Sequence, residues 1–108
     1  MSILSTNACD LKSKAKDLKN KVRYFNSAVF SVQETHFRKK WKFRMTDNII
    51  FESIRKNKEK GGTLLGIQIG LKPVLVKEYN DTFELLVVEV KAANKDIRII
   101  TGYGPQEN

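Results

Sequence analysis

The segment SAVFSVQETHF, residues 27–37, places a carboxylate at the end of an apolar run. Glu34 lies there between Gln33 and the pair Thr35-His36, so several polar side chains leave the end of the strand together. A carboxylate in such a place can serve as an oxygen ligand for a hard cation such as Mg²⁺. Alternatively the strand simply ends in solvent, and the segment alone leaves both interpretations open.

A second segment, FRKKWKFR at residues 37–44, interleaves aromatic and basic side chains in a predicted loop or short helix. Basic groups contact phosphates and aromatic rings stack on bases, so the segment could bind nucleic acid. It could equally be a solvated loop with Trp41 packed against a sheet. Residues 10–44 hold 11 of the 20 Lys+Arg and 3 of the 12 Asp+Glu, which accounts for the whole net charge of +8. A basic half of this kind attracts phosphate chains or an acidic membrane, although a solvated helix face has the same composition.

The elements that would position these residues can be predicted from periodicity. Residues 3–6 form a short strand that ends at Asn7, and residues 11–25 repeat apolar positions at helical spacing. Residues 27–32 are apolar on both faces, which is typical of a buried parallel strand. Strand, helix and strand make a βαβ unit, whose two strands end at the same edge of a sheet. The unit therefore predicts that Asn7 and Glu34 emerge together.

The rest of the chain predicts strands joined by short turns. The predicted strands cover residues 49–54, 63–70, 73–79, 82–91 and 97–102. Asn80-Asp81 is a good hairpin turn pair, and a loop is expected at residues 92–96. The predicted fold class is α/β (α+β), a helix-first unit followed by a mostly antiparallel meander, in one mixed sheet with an outer helix.

Length and composition limit the class of protein. The chain has 108 residues, 41% of them hydrophobic and 30% charged, which is typical of one small globular domain. Cys9 is the single cysteine, so an intrachain disulfide and a multi-cysteine zinc site are excluded. The sequence has no secretory signal and no apolar run long enough to span a bilayer. We expect a soluble intracellular protein, nuclear or cytoplasmic, that is neither secreted nor membrane-bound.

Four features occur in order over residues 3–106: a strand ending in Asn, QETH after an apolar strand, a strand led by Gly-Gly, and Tyr-x-Pro after the last strand. In them the chain resembles the endonuclease/exonuclease/phosphatase superfamily, closest to the apurinic-type endonuclease domains of non-LTR retrotransposon polyproteins, which also carry a reverse transcriptase. The resemblance implies a phosphodiesterase that uses Mg²⁺ or Mn²⁺ and acts on nucleic acid, with DNA favoured over RNA; a phosphorylated small molecule stays open as the substrate. It also implies a four-layer α/β-β/α sandwich of two similar halves. Residues 1–108 would then be a single incomplete domain, the N-terminal half.

The resemblance assigns roles to individual residues. Glu34 matches the metal-binding glutamate, Asn7 the asparagine beside it, and Tyr103 a tyrosine that lines the site near the scissile phosphate. We expect nucleic acid to be contacted by His36, Arg38, Lys39 and Lys40. Simpler roles remain open, because Glu34 could be a strand-end charge, Asn7 a turn or capping residue, and Tyr103 an aromatic at the rim of the core. Gln106 stands where many retrotransposon members have Asn.

The second half of the family domain carries an Asp-x-Asn motif and a closing Asp-His pair, and this sequence has neither. His36 is its only histidine. Because catalytic groups act as a unit, we expect the isolated chain to be inactive. We also expect it to self-associate through an apolar sheet face that the missing C-terminal half would cover, and that includes Val74, Leu86, Val88 and Ile100. Two alternatives remain, a small basic nucleic-acid-binding module without catalytic activity and a degenerate protein that pairs through its exposed sheet.

Overall fold

A computed structural model describes residues 2–8, 11–33, 35, 42–53, 62–80 and 84–103, the side chains of Asn80 and Tyr103 excepted. The elements in chain order are β1 (Ile3–Asn7), α1 (Leu11–Tyr24), β2 (Val29–Gln33), β3 (Asn48–Ser53), β4 (Thr63–Gln68), β5 (Val74–Asn80), β6 (Glu84–Ala92) and β7 (Lys95–Tyr103). A short 3-10 turn, Ile69–Leu71, separates β4 from β5. Every strand predicted from the sequence is confirmed, with bounds that differ by a few residues.

The βαβ unit predicted for the start of the chain is confirmed. β1 and β2 are parallel neighbours, and their register places Asn7 opposite Gln33. Three helix residues, Leu11, Leu18 and Val22, are buried against the sheet, as their helical spacing predicts. Both strands of the unit therefore end at one edge of the sheet.

The end of α1 differs from the prediction at one residue. Asn26 has a φ of 48°, and the Ser27 amide donates to the Val22 carbonyl oxygen at 3.1 Å, which is the bond pattern of a Schellman cap. The helix consequently ends at Tyr24. Phe25 lies in the turn beyond it and is 56% exposed, so the prediction that Phe25 belongs to the buried stripe is wrong.

The prediction of one mixed sheet is wrong in the number of sheets. Sheet A is mixed and four-stranded, in the order β1-β2-β4-β3, whereas β5-β6-β7 form a separate antiparallel sheet, sheet B. A 3-10 turn after β4 separates the two sheets. Lys72, with a left-handed φ of 49°, ends this turn, and Pro73 follows it. The mixed α/β class and the outer helix are confirmed, because α1 covers the face of sheet A that points away from sheet B.

Two apolar clusters hold the three layers together. The cluster under α1 contains Leu11, Leu18, Val22, Phe30, Val32 and Leu64, and the cluster between the sheets contains Val29, Leu65, Ile67, Leu86, Val88 and Val90. Gly66 in β4 is required by the first cluster, because a Cβ there would lie 2.0 Å from Cζ of Phe30. Central strand β4 is thus buried on both faces. No described helix has the length and apolar character needed to cross a membrane.

The residues predicted for an uncovered apolar face divide between a buried and an exposed surface. The prediction is wrong for Leu86 and Val88, which are fully buried between the two sheets. It holds for Val74 and Ile100, which are exposed on the outward face of sheet B. Ile100 is 66% exposed there and lies opposite Val87 in the ladder, and Val74 in β5 is 61% exposed.

Candidate active-site edge

One end of the sandwich collects the strand ends that the sequence marks for chemistry. In sheet A the register runs Asn7, Gln33, Thr63 across β1, β2 and β4, and in sheet B Glu84 lies opposite Tyr103. The Gly62 amide donates to Oε1 of Glu84 at 3.0 Å, which joins the two rows. We call this end of the sandwich, defined by Asn7, Gln33, Thr63, Glu84 and Tyr103, the polar edge.

The interior between the sheets changes from apolar to polar as it approaches this edge. Along β4 the inward positions run Ile67, Leu65 and then Thr63, and along β6 they run Val90, Val88, Leu86 and then Glu84. Buried polar groups need hydrogen-bond partners because desolvation without one is costly. This layer must therefore be held by specific hydrogen bonds as well as by packing.

Three side chains form a hydrogen-bonded triangle that joins the sheets just inside the edge. The hydroxyls of Ser31 in β2 and Thr101 in β7 lie 2.6 Å apart. Gln33 Nε2 donates to Ser31 Oγ at 3.1 Å and to Thr101 Oγ1 at 3.0 Å. This polar triangle fixes the end of β2 against β7, one residue before Glu34.

Thr35 anchors the chain on the far side of Glu34. Its amide donates to the Gly62 carbonyl oxygen at 3.3 Å, and its own carbonyl oxygen accepts the amide of Leu11 at 2.9 Å. Leu11 begins α1, so that bond satisfies one of the amides that a helix start leaves without an internal partner. Thr35 is fully buried, and its hydroxyl and that of Thr63 have no hydrogen-bond partner among the described residues.

The predicted site residues divide between described and undescribed parts of the chain. Asn7 lies at the end of β1 with an exposed side chain, and the backbone of Tyr103 ends β7 opposite Glu84. Glu34 and the predicted nucleic-acid contacts His36, Arg38, Lys39 and Lys40 lie outside the described residues. The described backbone brings Asn7 opposite the residue that precedes Glu34. The roles assigned to these residues stay predictions.

The described residues do not by themselves form a metal centre. Within the ranges that the structure describes, no three His, Cys, Asp or Glu side chains come together. The side-chain oxygen of Asn7 suits a hard cation, but Mg²⁺ commonly takes at least one carboxylate as well. The carboxylate predicted for that role, Glu34, is undescribed, so the metal remains a proposal.

Glu84 is the carboxylate of the polar edge that the sequence did not predict as a site residue. Its side chain is fully buried, although it was assigned only to a predicted strand. A signal was available in ELLVVEV, residues 84–90, because strand alternation places Glu84 on the same face as Leu86, Val88 and Val90. A carboxylate at the head of an inward apolar row marks a buried charge with a specific partner.

Positive charge covers the outer layer of sheet A. Helix α1 carries Lys12, Lys14, Lys16, Lys19, Lys21 and Arg23, against a single acidic residue, Asp17, that pairs with Lys21 at 3.2 Å. Most of these basic side chains are exposed. The helix therefore contributes a field that attracts phosphate chains toward this layer.

An open cleft of about 420 Å³ lies away from the polar edge. It is lined by residues from the end of α1, the start of β3 and the end of β4, among them Arg23, Asn48 and Gln68. These lie at the end of sheet A opposite to Gln33 and Thr63. The cleft is thus separate from the site that the strand ends predict.

Comparison with known proteins shows the fold. No protein-family model and no curated protein matches the chain. Among solved structures, AP endonuclease LMAP from Leishmania major aligns at 15% identity with a TM-score of 0.75, over 94% of this chain and 39% of that one. The endonuclease domain of TRAS1, a telomere-specific non-LTR retrotransposon, aligns at 14% identity and 0.66, over 95% and 45%. TDP2 of D. rerio, complexed with a single-strand DNA product, aligns at 17% identity and 0.65, over 94% and 45%.

These similarities confirm the predicted resemblance at the level of the fold. The structures that share the fold are endonuclease/exonuclease/phosphatase-type proteins, and a retrotransposon endonuclease domain is among them. Nearly all of this chain aligns, yet it spans less than half the length of each of these proteins. The chain therefore aligns with only part of each of these structures.

Proposed function

We propose that this chain carries the N-terminal half of a divalent-metal-dependent endonuclease that acts on nucleic acid, with Glu34, Asn7 and Tyr103 at its active site. The observation that supports the proposal is the polar edge. There Asn7 lies opposite the residue before Glu34, in a fold shared with nucleases. Such a site needs several strand ends to meet, and the two sheets meet at this edge.

Each residue has a proposed task. Glu34, with Asn7 beside it, would hold Mg²⁺ or Mn²⁺, which stabilises negative charge that develops on a phosphodiester. Tyr103 would line the site near the phosphate. His36, Arg38, Lys39 and Lys40 would contact the nucleic-acid backbone, with DNA favoured over RNA. The sequence holds no Asp-x-Asn motif and a single histidine, so groups that orient the nucleophile would come from the second half of the domain.

The metal is tested by titration with Mn²⁺, followed by water proton relaxation or calorimetry. Weak binding is expected for the chain and should be lost in Glu34→Gln, which keeps the shape but removes the negative charge. Glu89→Gln is the matched control, because Glu89 lies on the outward face of sheet B and pairs with Arg98 at 3.4 Å. Equal binding by the chain and Glu34→Gln would remove Glu34 from the site.

The half-domain is tested by plasmid nicking with Mg²⁺. The 108-residue chain should cleave no better than Glu34→Ala. Extending the chain with the second half of such a domain, or adding that half in trans, should restore cleavage that depends on Glu34. A monodisperse monomer of 12.4 kDa that nicks plasmid in the presence of Mg²⁺ would overturn the half-domain proposal.

A second candidate function is binding of nucleic acid without chemistry, and the charge distribution favours it. Binding should be non-specific and should weaken steeply with salt. Lys39→Glu with Lys40→Glu should lower the salt slope by about 2, since each replacement removes one phosphate contact. The control pair is Lys91→Glu with Lys95→Glu, at the β6–β7 turn remote from the polar edge. A filter-binding series in which the control pair has the larger effect would place the binding surface elsewhere.

A further inference from the structure

Glu84 is the one charged side chain that is buried among the described residues, with none of its surface exposed. It begins β6 on the inward face, where Leu86, Val88 and Val90 follow it. Burying a carboxylate is unfavourable unless hydrogen bonds compensate the lost hydration. An apolar residue would suit the inward row as well, so the carboxylate at this place calls for a specific partner.

That partner is a backbone amide at the start of β4. Gly62 donates its N–H to Oε1 of Glu84 at 3.0 Å, and hydrogen bonds to a charged acceptor are the stronger kind. Gly62 has a φ of 94°, a conformation that side-chain-bearing residues rarely adopt. The glycine and the carboxylate together hold this peptide in one orientation.

The carbonyl group of the same residue, Gly62, extends the connection to Thr35. The Gly62 carbonyl oxygen accepts the Thr35 amide at 3.3 Å, and the Thr35 carbonyl oxygen accepts the amide of Leu11 at 2.9 Å. A continuous series of hydrogen bonds therefore runs from the start of β6, through Gly62 and Thr35, to the start of α1. Thr35 is the residue that follows Glu34.

The residue on the other side of Glu34 is held independently. Gln33 lies in the ladder between Asn7 and Thr63, and its side chain belongs to the polar triangle. Glu34 is thus flanked by two anchored residues. The first anchor belongs to β2, whereas the second depends on a carboxylate from the other sheet.

We propose that Glu84 is a positioning residue for Glu34, because it holds the backbone of Gly62, the residue whose carbonyl oxygen anchors the amide of Thr35. The effect on metal binding by Glu34 rests on the proposed metal-dependent function, whereas the anchoring of Thr35 by Glu84 does not. Glu84 acts as a hydrogen-bond acceptor in this role, so its reach matters more than its charge.

Two near-isosteric variants separate reach from charge. Glu84→Gln keeps an oxygen at the same distance along the side chain without the charge, and Glu84→Asp keeps the charge on a side chain one methylene shorter. Leu86→Ala is the control, because Leu86 is two residues along the same inward row and its truncation lowers stability without touching Gly62. All three are made in the full chain, and amide hydrogen exchange is followed by NMR at Gly62 and Thr35 relative to amides of the β2–β4 ladder.

Glu84→Gln should keep the protection of both amides and should bind Mn²⁺ within about twofold of the parent chain, whereas Glu84→Asp should lose the protection and bind about 10- to 100-fold more weakly. Leu86→Ala should exchange faster at every site, with no selective loss at Gly62 and Thr35. If Glu84→Gln loses protection or metal affinity as fully as Glu84→Asp, an acceptor of the right reach is not sufficient, and the positioning role as stated is refuted. Unchanged exchange at Thr35 in Glu84→Asp would refute it as well.

The two proposals fail in different ways. If the parent chain binds no Mn²⁺ while Gly62 and Thr35 respond as described, the metal-dependent function fails and the anchoring of Thr35 by Glu84 stands. If Mn²⁺ binding depends on Glu34 but neither amide responds to Glu84→Asp, the function stands and the positioning role is refuted.

Discussion

Replacing Thr101 by Val tests whether the polar triangle acts as a unit. The change keeps the shape of the side chain and removes the hydroxyl that contacts Ser31 Oγ at 2.6 Å and Gln33 Nε2 at 3.0 Å. Ser31 then keeps only its bond with Gln33 Nε2, and the loss of an intramolecular hydrogen bond costs about 0.5–1.5 kcal/mol. We expect Thr101→Val to lower the free energy of unfolding by that amount.

Replacing the whole triangle should cost less than breaking it. In the triple variant Ser31→Ala, Gln33→Met and Thr101→Val, no polar group of the triangle is left without a partner, and apolar surface fills the same space. The triple variant should therefore be less destabilised than the sum of its three single changes, by about 0.5–3 kcal/mol of coupling.

The assay is urea unfolding at low protein concentration, with the midpoint read at an unchanged slope. Ser53→Ala provides the control, because the Ser53 hydroxyl donates to the Tyr79 carbonyl oxygen at 2.7 Å and does not belong to the triangle. Its effect should add to that of Thr101→Val. Full additivity among Ser31, Gln33 and Thr101 would refute the reasoning, as would a cost for Thr101→Val below about 0.5 kcal/mol.

Two further predictions concern packing and association. Gly66→Ala should destabilise the chain by about 1–3 kcal/mol, since the new Cβ would overlap the Phe30 ring, and Phe30→Leu should recover part of that loss in the double variant, as measured by thermal unfolding. No recovery would show that the ring is not the obstacle. The isolated chain should self-associate through the outward face of sheet B, and Ile100→Lys should reduce association in sedimentation velocity more than Tyr24→Lys, a control at an 83% exposed residue on α1. Equal effects would place the contact elsewhere.

The βαβ unit could be predicted from the sequence because each of its signals is local. Residues 11–22 repeat apolar positions at helical spacing, and residues 29–32 are apolar on both faces. The helical crossover between β1 and β2 makes the two strands parallel, which is why Asn7 could be predicted to lie at the same edge of the sheet as the end of β2.

The division into two sheets could not be predicted in the same way. Strand β4 is apolar on both faces whether its second face meets a helix, a missing half or another sheet of the same chain. The sequence prediction assigned the second face of β4 to the missing half of the domain, so it did not include the separation into two sheets after β4. The separation is produced by a 3-10 turn and by a left-handed conformation at Lys72. Lysine seldom adopts this conformation, so the sequence around Lys72 does not predict it.

The candidate site could be predicted only in part, as the fold could. Asn7 and Tyr103 were placed at strand ends because a boundary between apolar and polar residues is visible in the sequence. Glu84 was not predicted because its partner, Gly62, is 22 residues away, and no sequence pattern links the two positions. Hydrogen bonds between distant backbone and side-chain groups depend on the register of two sheets, which periodicity does not specify.

The strand order has a consequence for the sequence of events in folding. Sheet B is an uninterrupted meander of residues 74–103, so all its pairings are between neighbours along the chain. Sheet A instead needs β2 to meet β4 across residues 34–62, with β3 entering from the other side. Contacts close in sequence form faster than distant ones, so the meander should form before sheet A is complete. The polar edge contains residues from both sheets, so we expect it to form only when β2 has paired with β4, the slowest of these pairings.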